Sequence, residues 1–224
     1  PFGWNNQSNP YDNRDPRMKY TIVCNEMKWP VDPVEIWEGG TNGLPLQNAT
    51  TTGYYLKKYV NNTISFEAGS TVTKKQHNWV LFRYGEILLN YAEAMINAFH
   101  DPNYKDAVYN MSAREAVNQI RGRTNISLPG FPSDITEKDF VKRLKNERRV
   151  ELAFEGHRFW DVRRWKELGQ TANIYGVKIT KNNEVISYEK FLLETRAVTD
   201  NMYFYPIPNT ERFKNPNLGQ NPGW

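Results

Sequence analysis

The sequence predicts a mainly α-helical protein with long ordered loops and a few short strands. Three observations carry that prediction. Apolar residues recur at helical spacing through residues 79–99, and Ser112 and Thr136 each stand three residues ahead of an acidic residue at the mouth of another amphipathic stretch. Residues 1–78, by contrast, show no sustained helical period.

Residues 1–78 form the expected loop-rich layer. Asn9-Pro10, Asp15-Pro16, Trp29-Pro30, Asp32-Pro33, Gly39-Gly40 and Asn42-Gly43 punctuate them, leaving room only for strand-like runs at residues 20–23 and 54–60. The segment is rich in aromatics, which disordered chains lack, so the layer is expected to be ordered.

Residues 79–127 are expected to hold a helix pair. In the first helix, residues 79–99, Leu81, Tyr84, Leu88, Tyr91, Met95 and Ala98 define a seam that Val80, Ile87 and Ala94 widen. After Asp101-Pro102, Ser112 and Glu115 make a capping box, and Ala113, Ala116, Val117 and Ile120 face inward on the second helix. Tyrosines on one helix against alanines on the next make a tetratricopeptide-like unit. One unit cannot bury both of its faces, so neighbouring repeats are expected upstream of Pro1.

Residues 128–169 are expected to be an ion-paired helical segment. A Pro/Gly loop at residues 129–132 precedes Thr136 and Asp139, which cap a helix over residues 137–155. Gly156 breaks it, and residues 157–168 add a further turn or two before Gly169. Residues 170–224 read as irregular, with one strand at residues 203–207 and a proline-rich tail.

The stretch NERRVELAFEGHRFWDVRRW, residues 146–165, mixes charge with aromatics in an unusual way. At helical spacing Phe140, Leu144, Glu147, Glu151, Phe154 and Arg158 share a seam, which places two carboxylates among apolar groups. Buried carboxylates need cations, and Arg148, Arg149, Arg163 and Arg164 are the nearest in sequence. A nucleic-acid surface is disfavoured, because Glu147, Glu151, Glu155 and Asp161 alternate with the arginines and would repel phosphate. Glu147 and Glu151 lie one turn apart as a glycosidase pair might, but arginines beside them would lower the pKa that a general acid needs raised.

Other chemistry is absent from the sequence. His77, His100 and His157 are scattered, so no metal is expected, and neither a phosphate loop nor a dinucleotide fingerprint calls for a cofactor. The single cysteine, Cys24, rules out an intrachain disulfide, and the charged residues before it exclude a lipid-attachment signal there. No run reaches the ~20 apolar residues of a membrane-spanning helix. A net charge of +4 and a pI near 9.0 are modest for this length. Pro1 in place of an initiator Met suggests a polypeptide that starts upstream.

Aromatic content is the unusual component: seven Trp, thirteen Tyr and eleven Phe, many beside Asn, Gly and Pro. Exposed aromatic planes next to amides suit sugars, whose C–H faces stack on rings while amides satisfy hydroxyls. The competing reading is that these rings anchor the loops to the body.

Several blocks together resemble the SusD/RagB family of surface glycan-binding lipoproteins. YDNRDPR at residues 11–17, LFRYGEILLNYAEA at 81–94, the 146–165 block, YPIP at 205–208 and NPNLGQNPGW at 215–224 are similar to the family's segments and stand in its order. The resemblance implies a SusD-like, non-catalytic protein that captures glycan at the outer membrane surface for a SusC-like TonB-dependent transporter. It also implies a longer chain, with a lipid anchor and further repeats upstream. The recognisable blocks read as scaffold, so glycan contacts are expected on loops: Phe2, Trp4, Asn5, Asn6 and Gln7 first, then Trp29, Trp37 and Tyr54. A protein-interaction module without its own sugar site is the alternative, and a glycoside-processing enzyme comes third.

Overall fold

The computed structural model describes residues 9–64 and 71–224, in which helices and loops surround two separate apolar cores. In chain order the elements are α1 (Met18–Thr21), β1 (Ile22–Val23), β2 (Tyr55–Leu56), α2 (Tyr84–Phe99), α3 (Ala113–Arg121), α4 (Glu137–Glu151), α5 (His157–Arg164), β3 (Asn173–Asn182), β4 (Val185–Thr195) and α6 (Asn209–Lys214).

The first core belongs to α2, α3 and α4. Leu88, Leu89, Ala92, Met95 and Ile96 of α2 meet Ala113, Ala116, Val117 and Ile120 of α3, and Phe140 and Leu144 of α4 close the space. Ala92, Ala113 and Ala116 are completely buried, and their lack of bulk lets the helix backbones approach closely. Phe131, from the loop before α4, meets Phe140 edge to face at 5.8 Å. Local chemistry sets the helix starts as expected. Ser112 accepts from Glu115 N while Glu115 accepts from Ser112 N, and Thr136 Oγ1 accepts from Asp139 N.

Helix α2 differs from its sequence reading in two ways. It starts at Tyr84, because Arg83 is extended and its side chain runs to Glu151 and Glu155. Its buried stripe is also turned: Leu88, Leu89, Ala92, Met95 and Ile96 face the core, while Leu81, Tyr84 and Ile87 are exposed, as are Ala94 and Ala98. The helix carries apolar residues around much of its circumference, so periodicity alone does not choose the face that α3 and α4 cover.

Helix α4 ends at Glu151, four residues before the expected end. Residues 152–156 turn through left-handed Phe154 and Gly156, which carries Phe154 off the buried seam to 54% exposure. Phe140, Leu144, Glu147 and Glu151 are buried as the spacing requires.

The second core joins the loop layer to a hairpin that the sequence reading missed. Residues 173–195 are not irregular: β3 and β4 pair antiparallel from Asn173↔Thr195 to Asn182↔Val185. Asn183 turns the chain with φ 55°, a conformation Asn tolerates. Val177 and Ile179 alternate inward onto Val23, Val34 and Ile36. In the sequence that alternation covers only Val177-Lys178-Ile179 before a polar run from Thr180 to Glu184, too short to announce a strand. The strand expected at residues 203–207 is absent; its first residue closes the short helical turn Asp200–Tyr203, and no ladder follows. Strands β1 and β2 are shorter than their sequence runs and pair as Ile22↔Leu56 and Val23↔Tyr55.

Charge ties the two cores together, with partners other than those nearest in sequence. Arg17, in the loop layer, donates to Glu147 at 2.6 Å and to Glu151 at 2.9 Å, across 130 and 134 residues. Arg121 reaches Glu147 at 2.6 Å, while Arg83 and Arg123 reach Glu151 at 2.7 and 2.8 Å. Lys58 holds Glu155 and the Ala153 carbonyl. Of the expected neutralising arginines, Arg148 and Arg164 instead hold Asp161, and Arg164 also holds Glu93. A carboxylate on a buried seam is met by cations from the elements packed over that seam. Neighbours in sequence project in other directions around the helix.

Candidate functional site

Loop geometry places the described candidate residues around the second core. The chain doubles back between Cys24 and Val34, with Glu26 N donating to Val34 O at 2.8 Å and Trp29 N to Asp32 O at 2.9 Å, so Trp29 sits at the tip. Its ring is half-buried and lies 4.4 Å from Lys57 Nζ. Trp37, half-buried beside Ile36, carries Lys181 Nζ 4.7 Å from its ring. Tyr54 packs edge to face on Tyr11 at 6.1 Å, and Tyr11 in turn meets Tyr188 at 5.4 Å. Burial pushes the Tyr11 and Tyr54 phenols up, so both stay protonated. The fold therefore gathers Trp29, Trp37 and Tyr54 around one small core, each partly used in packing. Phe2, Trp4, Asn5, Asn6 and Gln7 lie outside the described residues.

Between these loops and the hairpin is a cleft of about 250 Å³. Strand β3 forms its floor, hydrogen-bonded along its outer edge by Val177 N to Thr52 O and by Glu38 N to Ile179 O, both at 2.9 Å. Gly53 allows that approach. It has φ +80°, and a Cβ there would lie 2.4 Å from Val177 O. Ile36, Leu44, Val177, Ile179 and Phe191 supply an apolar lining, while Glu38, Lys178, Thr50 and Thr51 supply polar groups. Glu38 and Lys178 are 3.4 Å apart and both about half exposed. A wider depression on the outer side of α3 has its polar groups committed: Glu115 to the helix cap and Lys105, and Asn118 to the Phe131 backbone.

Two further aromatic groups were not singled out by sequence reasoning. Phe159 and Trp160 of α5 meet Tyr205, with ring separations of 5.0 to 6.1 Å, and Arg163 stacks on Phe159. Tyr59 stacks on Trp79 at 5.7 Å with His77 at its edge. Each group joins residues distant in sequence, so only the fold reveals it.

Glu147 is tied to Arg17 and Arg121, and Glu151 is unsuited to acid–base work. Burial would raise the Glu151 carboxyl, but hydrogen bonds from Arg17, Arg83 and Arg123 outweigh it and hold the pKa at about 2. Among the described residues no three His, Cys, Asp or Glu side chains cluster as metal ligands, and no helix is long and apolar enough to cross a membrane. Cys24 is buried, and burial pushes its thiol up to about 11, so it stays protonated.

A three-helix scaffold clasped by buried ion pairs to a layer of loops and one hairpin defines a mainly helical, SusD-like architecture. The chain belongs to the SusD family, which it matches over residues 4–224. "SusD-like protein P2" of Formosa agariphila is 29% identical over 163 residues, covering 70% of this chain and 28% of its own length. "SusD-like protein P38" of the same organism is 37% identical over 150 residues, 64% of this chain and 24% of that protein. The crystal structure of a SusD-like protein from Bacteroides fragilis superposes with a TM-score of 0.77 at 27% identity, over 96% of this chain and 40% of that one. The chain thus spans about a quarter of these curated relatives.

Proposed function

We propose that this protein captures glycan without catalysis, at the outer membrane surface, for uptake through a SusC-like TonB-dependent transporter. The observation that carries this reading is a cleft in the loop-and-hairpin layer of a SusD-family chain, lined by apolar groups that include Phe191 and by polar groups, with Trp29, Trp37 and Tyr54 packed around the adjoining core. That division matches a sugar, which presents C–H faces and hydroxyl edges. A Glu151 carboxylate that arginines hold ionised fits capture better than hydrolysis, which needs one carboxyl kept protonated. Phe2, Trp4, Asn5, Asn6 and Gln7 remain the proposed opening platform, with Trp29, Trp37 and Tyr54 as further contacts. A lipid anchor upstream would hold the protein at the membrane.

Affinity electrophoresis of the full-length protein on starch, xylan, laminarin, pectin, alginate and carrageenan tests the reading. Retardation on at least one is expected, and migration unchanged on all of them counts against it. Trp4→Ala should weaken binding and leave thermal unfolding unchanged.

The exposed Phe159, Trp160 and Tyr205 group favours a second reading, a protein-interaction module of the transporter complex. Co-purification with a transporter in the absence of any glycan binding would select it.

A further inference from the structure

We infer that the cleft walled by Phe191 is a subsite for one uncharged pyranose ring of the captured glycan, an inference that rests on the proposed glycan capture. Its volume of about 250 Å³ lies just under the ~300–1,000 Å³ typical of ligand pockets, which suits a single ring and not a chain segment. Its lining divides as a sugar does. Phe191 and Leu44 meet C–H faces, while Thr50, Thr51, Glu38 and Lys178 offer hydroxyl, carboxylate and ammonium partners to ring hydroxyls.

Backbone shape positions the aromatic wall. The Phe191 ring lies over Gly176, where a Cβ would come within 2.8 Å of it. Gly176 faces Phe191 across the β3–β4 ladder, so the wall stands on paired strands and not on a loop. A preorganised wall costs little ordering entropy on binding.

Phe191 also differs from the tryptophans nearby. Trp29 and Trp37 each carry a lysine ammonium within 4.7 Å of the ring. Among the described residues no cation lies over Phe191. Phe191 therefore gives the cleft an aromatic wall with no cation against it.

Charge in the cleft points to an uncharged ring. Glu38 and Lys178 stand 3.4 Å apart, so their fields largely cancel, and a uronate or sulfate near Lys178 would also meet the Glu38 carboxylate. A pair this exposed contributes little to stability, which leaves both groups able to turn toward hydroxyls.

The test uses the full-length protein and whichever polysaccharide of the panel above retards it. Phe191→Ala should weaken binding about tenfold, and Phe191→Trp should retain it, in line with loss and retention of one stacking contact. Phe191→Leu keeps an apolar wall without a π face and should match Ala, which separates stacking from any loosening of the hairpin. Retardation on an uncharged polysaccharide that persists from about 50 to 500 mM salt supports the uncharged ring. Wild-type binding by Phe191→Ala would overturn the subsite while leaving glycan capture standing. Retardation only on alginate or carrageenan, abolished by salt, would overturn the uncharged ring. No retardation on any polysaccharide would remove glycan capture itself and the subsite with it.

Discussion

The α2–α4 bundle and the loop-and-hairpin layer solve the same problem of order by different means. The bundle fills its core with side chains of near-zero exposure and closes it with buried carboxylates that four arginines share. The layer's core has five buried apolar residues, with half-buried aromatics as its outer shell. In the bundle the apolar side chains are sealed inside, whereas in the layer half-buried aromatics carry the packing out to the surface. Arg17 and Lys58 fasten the layer to the bundle.

The comparison breaks most visibly at Glu151. Glu151→Ala strips a carboxylate from Arg17, Arg83 and Arg123 and leaves cations buried without it. The expected cost is about 3–5 kcal/mol, read as a fall in the urea midpoint. A loss under about 1 kcal/mol would mean that the clasp only decorates a fold held by apolar contacts.

Acid should open the same clasp without mutation. Glu151 titrates at about 2 when folded and at 4.5 when free, so its contribution is complete above pH 4.5 and is lost as pH falls toward 2. That shift corresponds to about 3 kcal/mol. Glu155 and Asp15 move in the same direction, since burial raises each carboxyl while Arg83 with Lys58, or Arg17, lowers it further. Denaturant midpoints measured from pH 6 to pH 2 should decline steeply below about pH 4.5, and Glu151→Gln should flatten that decline.

Ile179→Ala probes the layer alone. Ile179 is 3% exposed, but its core is small and bordered by half-buried aromatics, so a cost near the low end, about 2 kcal/mol, is expected. Hydrogen exchange should show amides of β3 and β4 losing protection while those of α2, α3 and α4 keep theirs. Equal loss in both regions would mean that the two cores unfold as one unit.

What the sequence made legible follows the same division. Caps, helix faces and the buried seam of α4 depend on residues three or four apart, so Ser112, Thr136, Phe140 and Glu147 could be read directly. The hairpin depends on cross-strand partners, and its inward Val177 and Ile179 are too few to announce a strand among Lys and Asn. Clasp partners were misassigned because Arg17 and Arg83 meet α4 only through tertiary packing. At the candidate site, Trp29, Trp37 and Tyr54 drew notice by residue type, whereas Phe191 gains its place from Gly176 across a ladder that no local pattern reveals.

The smallest effect isolates what makes the clasp matter. Lys214 and Glu211 of α6 lie 2.7 Å apart, the same range as Arg17 and Glu147 at 2.6 Å. The α6 pair, however, is 70% and 53% exposed, against 6% and 3% in the clasp. Water screens the exposed pair and solvates either partner left alone, so Lys214→Ala should shift stability by less than about 0.5 kcal/mol. Raising salt should likewise leave the Lys214→Ala and wild-type urea midpoints indistinguishable. A measurable loss at Lys214 would place the source of stability in ion-pair distance itself. The near-neutral result expected places it in burial, where a charge deprived of its partner has no solvent to turn to.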